Sequence, residues 1–153
     1  MTMTMESTML VQIFVKKTEA QKIFLDFFEA PEDHSRRSHK GVYHSEIFKT
    51  KKGRVKVPVL DTRYFKTALT KSTKLNKKHT PNRYGKGAIL AEAQWKGLTN
   101  ELNNTDADFN IIVSSIQVLS AEHGFETWGN FPHEIDKLKA IIKKQSQRCG
   151  LTL

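Results

Sequence analysis

Residues 42–60 read VYHSEIFKTKKGRVKVPVL, and the choice of fold turns on them. Two runs rich in β-branched and aromatic residues, 42–49 and 54–60, flank Thr50, Lys51, Lys52 and Gly53, a glycine-bearing connection suited to a longer hairpin turn. The alternation predicts Val55, Val57 and Val59 facing the core and Arg54 and Lys56 facing solvent. Pro58, which lacks an N–H, places this strand at a sheet edge.

Working towards the N-terminus, residues 31–41 (PEDHSRRSHKG) carry no apolar side chain and read as an exposed loop. Before it, Thr18 and Gln21 have the spacing of a capping box. Ile23, Phe24, Phe27 and Phe28 follow at helical intervals until Pro31. Residues 10–16 alternate Val11, Ile13 and Val15 with Gln12 and Lys16, which predicts a first strand.

On the C-terminal side, Asp61 or Thr62 caps a predicted helix running to about Thr73, with Phe65, Ala68 and Leu69 as its buried stripe. Residues 75–87 (LNKKHTPNRYGKG) form a second polar loop. A helix over residues 88–102 buries Ile89, Leu90, Ala93 and Leu98. Thr105 and Asp108 then cap another, in which Phe109, Ile112, Val113, Ile116 and Leu119 recur three and four apart until Gly124 and Phe125; a strand competes there, but its alternation breaks at Ser114 and Ser115. Trp128 reads as a lid over the core. The last helix starts at Pro132, runs to about Arg148 and buries Ile135, Leu138, Ile141 and Ile142 before Gly150. The expected class is α+β: a small antiparallel sheet in the order β-α-β-β, followed by a helical C-terminal half of about four helices.

A chain of 153 residues with 38% hydrophobic content is expected to form a single domain, residues 1–153, with its own core. The lone Cys149 cannot make an intramolecular disulfide, which fits a reducing compartment. Residues 1–9 lack the basic and apolar regions of a signal peptide, and no run reaches the roughly 18 apolar residues of a membrane span. A soluble cytoplasmic protein is the expectation.

Charge is segregated along the chain. Residues 34–86 hold sixteen of the twenty-five Lys and Arg and only two acids, Glu46 and Asp61, a net +14, whereas the rest of the chain sums to −5. A field of one sign concentrates polyanions, so the expected partner is nucleic acid, DNA or RNA, held through its phosphates. Three clusters carry the charge: Arg36, Arg37 and Lys40 in the first loop; Lys49, Lys51, Lys52, Arg54 and Lys56 on the hairpin; and Lys74, Lys77, Lys78, Arg83 and Lys86 in the second loop. Tyr43, Tyr64 and Tyr84 lie among these cations and offer ring faces to unpaired bases. Tyr84 is the best placed of them, because its loop has no core to enter, while Tyr43 and Tyr64 suit packing at element edges.

Two other function classes leave traces. A small nuclease has candidate groups in Asp106 and Asp108, which suit Mg²⁺ held by few carboxylates, or in His79, whose imidazole titrates near neutrality beside Lys77, Lys78 and Arg83; His39 or His44 would serve as its partner. Over these few residues the acidic pair resembles that of RusA-type junction resolvases, and the resemblance extends no further along the chain. The same acids in a helix's first turn also complement its dipole. The third class is an accessory protein of a bacteriophage or mobile element that binds an acidic protein partner. No spacing of His and Cys suits zinc, and the phosphate-loop, dinucleotide-binding and nucleophile-elbow motifs are absent, so no cofactor is expected outside the Mg²⁺ route.

Overall fold

In a computed structural model the described residues are 5–104, 106–120 and 122–149, with side chains described within 16–145. The chain divides into two compact units, Met1–Val42 and Tyr43–Leu153. The class is α+β: among the described residues there are three α-helices and a small mixed sheet. No described helix is long and apolar enough to cross a membrane.

The first unit is built on α1 (Met5–Phe27). The strand expected at residues 10–16 is therefore helical. A helix satisfies its backbone groups locally, without a partner strand. Thr18 is consequently internal to the helix rather than its cap. Gln21 ties down the following loop instead: its Nε2 donates to the carbonyls of Arg36, His39 and Gly41 at 2.9, 2.8 and 3.1 Å, and its Oε1 accepts from Gly41 N at 2.9 Å.

The second unit contains the hairpin, as expected, with β1 (His44–Thr50) antiparallel to β2 (Gly53–Val59). Two features of it differ from the sequence reading. β2 is the middle strand of the order β1-β2-β5, because β5 (Phe109–Asn110) adds in parallel on its other side. Pro58 thus sits in a central strand, where its missing N–H coincides with a break in the parallel ladder: pairing is regular at Val55 with Phe109 and Lys56 with Asn110, then resumes only as a single bridge between Val59 and Val113. The Pro58 carbonyl still accepts from Val113 N at 2.8 Å.

The strand's phase is also opposite to expectation. Lys56, Pro58 and Leu60 are buried, while Val55, Val57 and Val59 lie half-buried on the outer face. Helix α2 (Glu92–Asn103) covers the inner face and runs antiparallel to β2. At one end, Gln94 makes two bonds to the backbone of Asp61, with Oε1 accepting from its N–H at 2.8 Å and Nε2 donating to its C=O at 3.0 Å. At the other, Lys56 Nζ donates to Glu101 O at 3.1 Å and Glu101 Oε2 at 2.9 Å. The last carbonyls of a helix have no partner within it and carry partial negative charge, so a buried ammonium is well placed there.

Helices were expected over 61–73 and 105–119, and neither forms. Asp61 Oδ1 accepts from Arg63 N and Tyr64 N, both at 2.9 Å, which makes a local turn rather than a helix start. The chain then pairs elsewhere: Thr67 N donates to Ala88 O at 2.9 Å, and β3 (Thr70–Lys71) joins β4 (His79–Thr80). Thr105 lies outside the described residues. The stretch after it gives its backbone to β2, through Asp108 N to Arg54 O, Ile111 N to Lys56 O and Leu60 N to Val113 O, all at 2.9 Å. Pairing ends at Val113, so the two serines that break the alternation fall after the strand.

The final helix, α3 (Pro132–Cys149), forms as read. Glu134, in its first turn and only 6% exposed, accepts from Ile89 N at 2.9 Å and from Leu90 N and Trp95 Nε1 at 3.0 Å, which ties α3 to the start of α2. The core gathers Leu60, Ile89, Leu90, Trp95, Leu98, Leu102, Trp128, Phe131 and Leu138. Trp128 is fully buried within it rather than lying over it as a lid; its Nε1 donates to Ser114 Oγ at 3.0 Å.

Candidate nucleic-acid interface

The three cationic clusters of the sequence end in different situations. In the first unit, Arg37 is committed to its own loop: it pairs with Asp26 at 2.7 Å and donates to the carbonyls of Ala30 and Pro31. With Lys22, it holds the Asp26 carboxyl below the usual carboxylate range through hydrogen bonding. Arg36 is half-buried and donates through Nε to His34 Nδ1 at 3.3 Å, and Lys40 is exposed.

On the hairpin, Lys49, Lys51 and Lys52 are exposed around the turn. Arg54 instead forms an ion pair with Asp106, and its backbone N–H donates to Asp108 Oδ2 at 2.7 Å. The two acids considered as metal ligands are thus fastened to the hairpin, and among the described residues there is no group of three His, Cys, Asp or Glu that could hold a metal ion. No helix begins there for them to cap. Lys56 is only 5% exposed, with its charge turned onto Glu101, so it presents nothing to solvent.

The third cluster is the most open. β3 and β4 pair Thr70 with Thr80 and Lys71 with His79, and the loop between them is braced by Ser72 N donating to Lys78 O and Ser72 Oγ accepting from Lys74 N, both at 3.0 Å. A second turn follows, closed by Lys86 N to Arg83 O at 2.9 Å. Asn82 joins the two parts and the core, accepting from Thr70 N and Oγ1 and donating its backbone N–H to Asn130 O. Residues 71–86 so display Lys71, Lys74, Lys77, Lys78, Arg83 and Lys86 without one carboxylate in the segment, and among the described residues none of the six is in an ion pair. All but Lys77 are exposed. The cations between the hairpin and this loop are not free in the same way: Arg63 and Lys66 both pair with Glu126, at 2.6 and 3.0 Å. Burial raises the Glu126 carboxyl, but these two partners more than offset it and hold it below the ordinary range.

Aromatic rings stand beside the loop. Tyr84 is 65% exposed, edge-on to His133 with centroids 5.9 Å apart, whereas Tyr64 is buried against Phe65 and Tyr43 is half-buried, its phenol pushed up by desolvation. Phe125 is the ring that sequence reasoning missed. It is half exposed, stacks on His123 at 5.7 Å and lies 5.6 Å beneath Lys78 Nζ. What brings it there is the carbonyl of Gly124, which accepts from both Lys78 N (3.0 Å) and His79 N (2.9 Å). Gly124 adopts φ +74°, and a Cβ on it would fall 2.6 Å from the Lys77 side chain. Nothing in the spacing of residues 77 and 124 signals that approach. His79 itself is half-buried with Nδ1 unpartnered; within its unit the bond from its N–H to Gly124 O brings His123 into its neighbourhood, while His44 lies opposite Val59 in the sheet and His39 belongs to the other unit.

The two open clusters do not merge. The hairpin turn lies by the C-terminus of α2, where Lys56 meets Glu101, while residues 71–86 lead back into the N-terminus of α2. β2 alone separates these ends by roughly 20 Å at 3.3 Å per residue. Comparisons with protein-family models, curated proteins and solved structures found no match to this chain.

Proposed function

We propose that this protein binds nucleic acid, with residues 71–86 as its principal phosphate-contacting surface. The observation that carries this reading is one braced segment with six cations, none of them in an ion pair among the described residues, and with Tyr84 and Phe125 at its side. A phosphate backbone meeting such a surface releases its condensed counterions, and the release drives binding without requiring base contacts. Exposed ring faces add affinity for unpaired bases. Arg54, Lys56 and Arg37 serve the fold in this reading, and no catalytic step is involved.

The test is titration of labelled single-stranded DNA, duplex DNA and RNA across a range of salt. Engagement of the six cations gives a slope of log K against log salt of roughly −4 for a single strand and −5 for a duplex. Replacing Lys74, Arg83 and Lys86 with Gln should lower the slope by about 2. Absence of binding to all three polymers, or binding indifferent to salt, overturns the proposal.

A further inference from the structure

Residues 83–86 form a bulge fastened at both ends. Its entrance is held by Asn82, whose backbone N–H donates to Asn130 O at 2.8 Å and whose side-chain oxygen accepts from Thr70 Oγ1 at 2.7 Å. Its exit is Gly87, at φ +77°, seated so closely that a Cβ there would fall 2.6 Å from Thr67 Oγ1 and 2.9 Å from the fully buried ring of Phe131. Ala88 N then donates to Thr67 Oγ1 at 2.9 Å. Between these anchors the turn closes through Lys86 N to Arg83 O, and Arg83, Tyr84, Gly85 and Lys86 are all exposed.

Tyr84 is the one phenol, phenyl or indole ring in residues 71–86. It touches His133, in the first turn of α3, whose Nε2 lies 3.1 Å from Gly87 O. The two rings meet at 67° and not face to face, so at least one face of the tyrosine stays open. Nothing lies within 4 Å of the place a Cβ would take on the neighbouring Gly85. The other rings near the cations are situated differently: Tyr64 is buried, and Phe125 has His123 stacked on it and Lys78 over it. A single exposed tyrosine is ordinary on a surface. One held in a fastened turn, with a cation on either side of it in that turn, is ordered before any ligand arrives, and that preorganisation favours binding.

The carboxylates around the turn leave it cationic. Glu134 is buried and bonded to three N–H groups, Glu92 pairs with Lys137, and Glu126 pairs with Arg63 and Lys66. Asp136, exposed one turn beyond His133, opposes Arg83 and Lys86 as one charge against two. An open ring face between two cations suits a ligand that is flat and apolar at one unit and anionic on either side of it.

We infer that Tyr84 is a stacking post for one unpaired base, with Arg83 and Lys86 meeting the phosphates that flank that nucleotide. The inference rests on the nucleic-acid reading above and narrows it to a single-stranded ligand, because in a duplex the base faces are stacked on each other and unavailable.

The test compares a base-bearing single strand, an abasic strand of equal length and charge, and a duplex of the same sequence, using the full chain and its Tyr84→Ala and Tyr84→Phe forms. The unaltered protein should prefer the base-bearing strand to the abasic one and, at raised salt where the phosphate contribution fades, to the duplex. Tyr84→Ala should bind the base-bearing strand roughly 5- to 100-fold more weakly, with the abasic strand, the duplex and the salt slope unaffected and the phenylalanine form close to the original. Since the ring is exposed, thermal unfolding should hardly move. If Tyr84→Ala binds as the original does while Lys74→Gln weakens binding, the stacking post is refuted and the general reading survives. Equal weakening on all three polymers, or a duplex held more tightly than the base-bearing strand at raised salt, also overturns it. If the unaltered protein binds none of the three, both readings fall.

Discussion

Lys56 separates a surface role from a structural one, and its replacement has a calculable cost. Its ammonium donates to two oxygens of Glu101, and its stem is buried beneath α2 beside Pro58 and Leu60. Lys56→Met keeps most of the stem and removes the two hydrogen bonds. The Glu101 carboxylate is nearly half exposed and returns to water, so the net loss is about 1–2 kcal/mol, mainly from the uncapped carbonyl at the end of α2. Lys56→Ala also removes three buried methylenes worth about 0.8 kcal/mol each, bringing the total to about 3–4 kcal/mol. Urea unfolding followed through the core residues Trp95 and Trp128 measures both, with the midpoint moving and the m-value constant. Nucleic-acid affinity and its salt slope should be untouched. A Lys56→Met protein as stable as the original, with a slope shallower by about 0.7–0.9, would mean that this lysine faces phosphate, and the packing account of β2 would be wrong.

Glu134 accepts three buried N–H groups, so Glu134→Gln sets an amide donor against donors and should cost about 2–4 kcal/mol, a fall in melting temperature of roughly 5–15 °C with far-UV circular dichroism retained. Gly124→Ala forces a Cβ to within 2.9 Å of Lys77 Cα at φ +74°; hydrogen exchange at Lys78 and His79 amides should accelerate and nucleic-acid affinity drop, and unchanged exchange would show that the 77–79 loop does not depend on this approach. The Glu126 carboxyl, held low in the folded state by Lys66 and Arg63, contributes stability that is fully present above the ordinary carboxylate range and lost as pH falls through its lowered value. Glu126→Gln should therefore lower the melting temperature at pH 7 and flatten its decline towards pH 3; parallel curves for the two proteins would contradict this.

Local chemistry was legible in the sequence wherever a segment satisfies itself. Residues 50–53 turn back on their own neighbours, and α3 has Pro132 at its start and an apolar stripe through Ile135 and Leu138, so both were readable from spacing alone. The concentration of charge in residues 34–86 was equally plain, and most of residues 75–87 are exposed as read, but the short strand His79–Thr80 within them was not legible. Tertiary structure decided the rest, because the deciding partners are distant in the chain. Residues 109–113 include the β-branched Ile111, Ile112 and Val113, which tolerate helix or strand, and the free edge of β2 chose strand pairing for the stretch. Which face of β2 turns inward was settled by α2, whose terminal carbonyls accept the Lys56 ammonium and leave three valines outside. Composition alone counted sixteen cations as one feature, whereas the fold pairs Arg37, Arg54, Lys56, Arg63 and Lys66 with acids and holds the hairpin lysines apart from those of residues 71–86. Sign and number of charges are properties of the chain; their accessibility depends on which carboxylate or carbonyl folding brings within hydrogen-bonding distance.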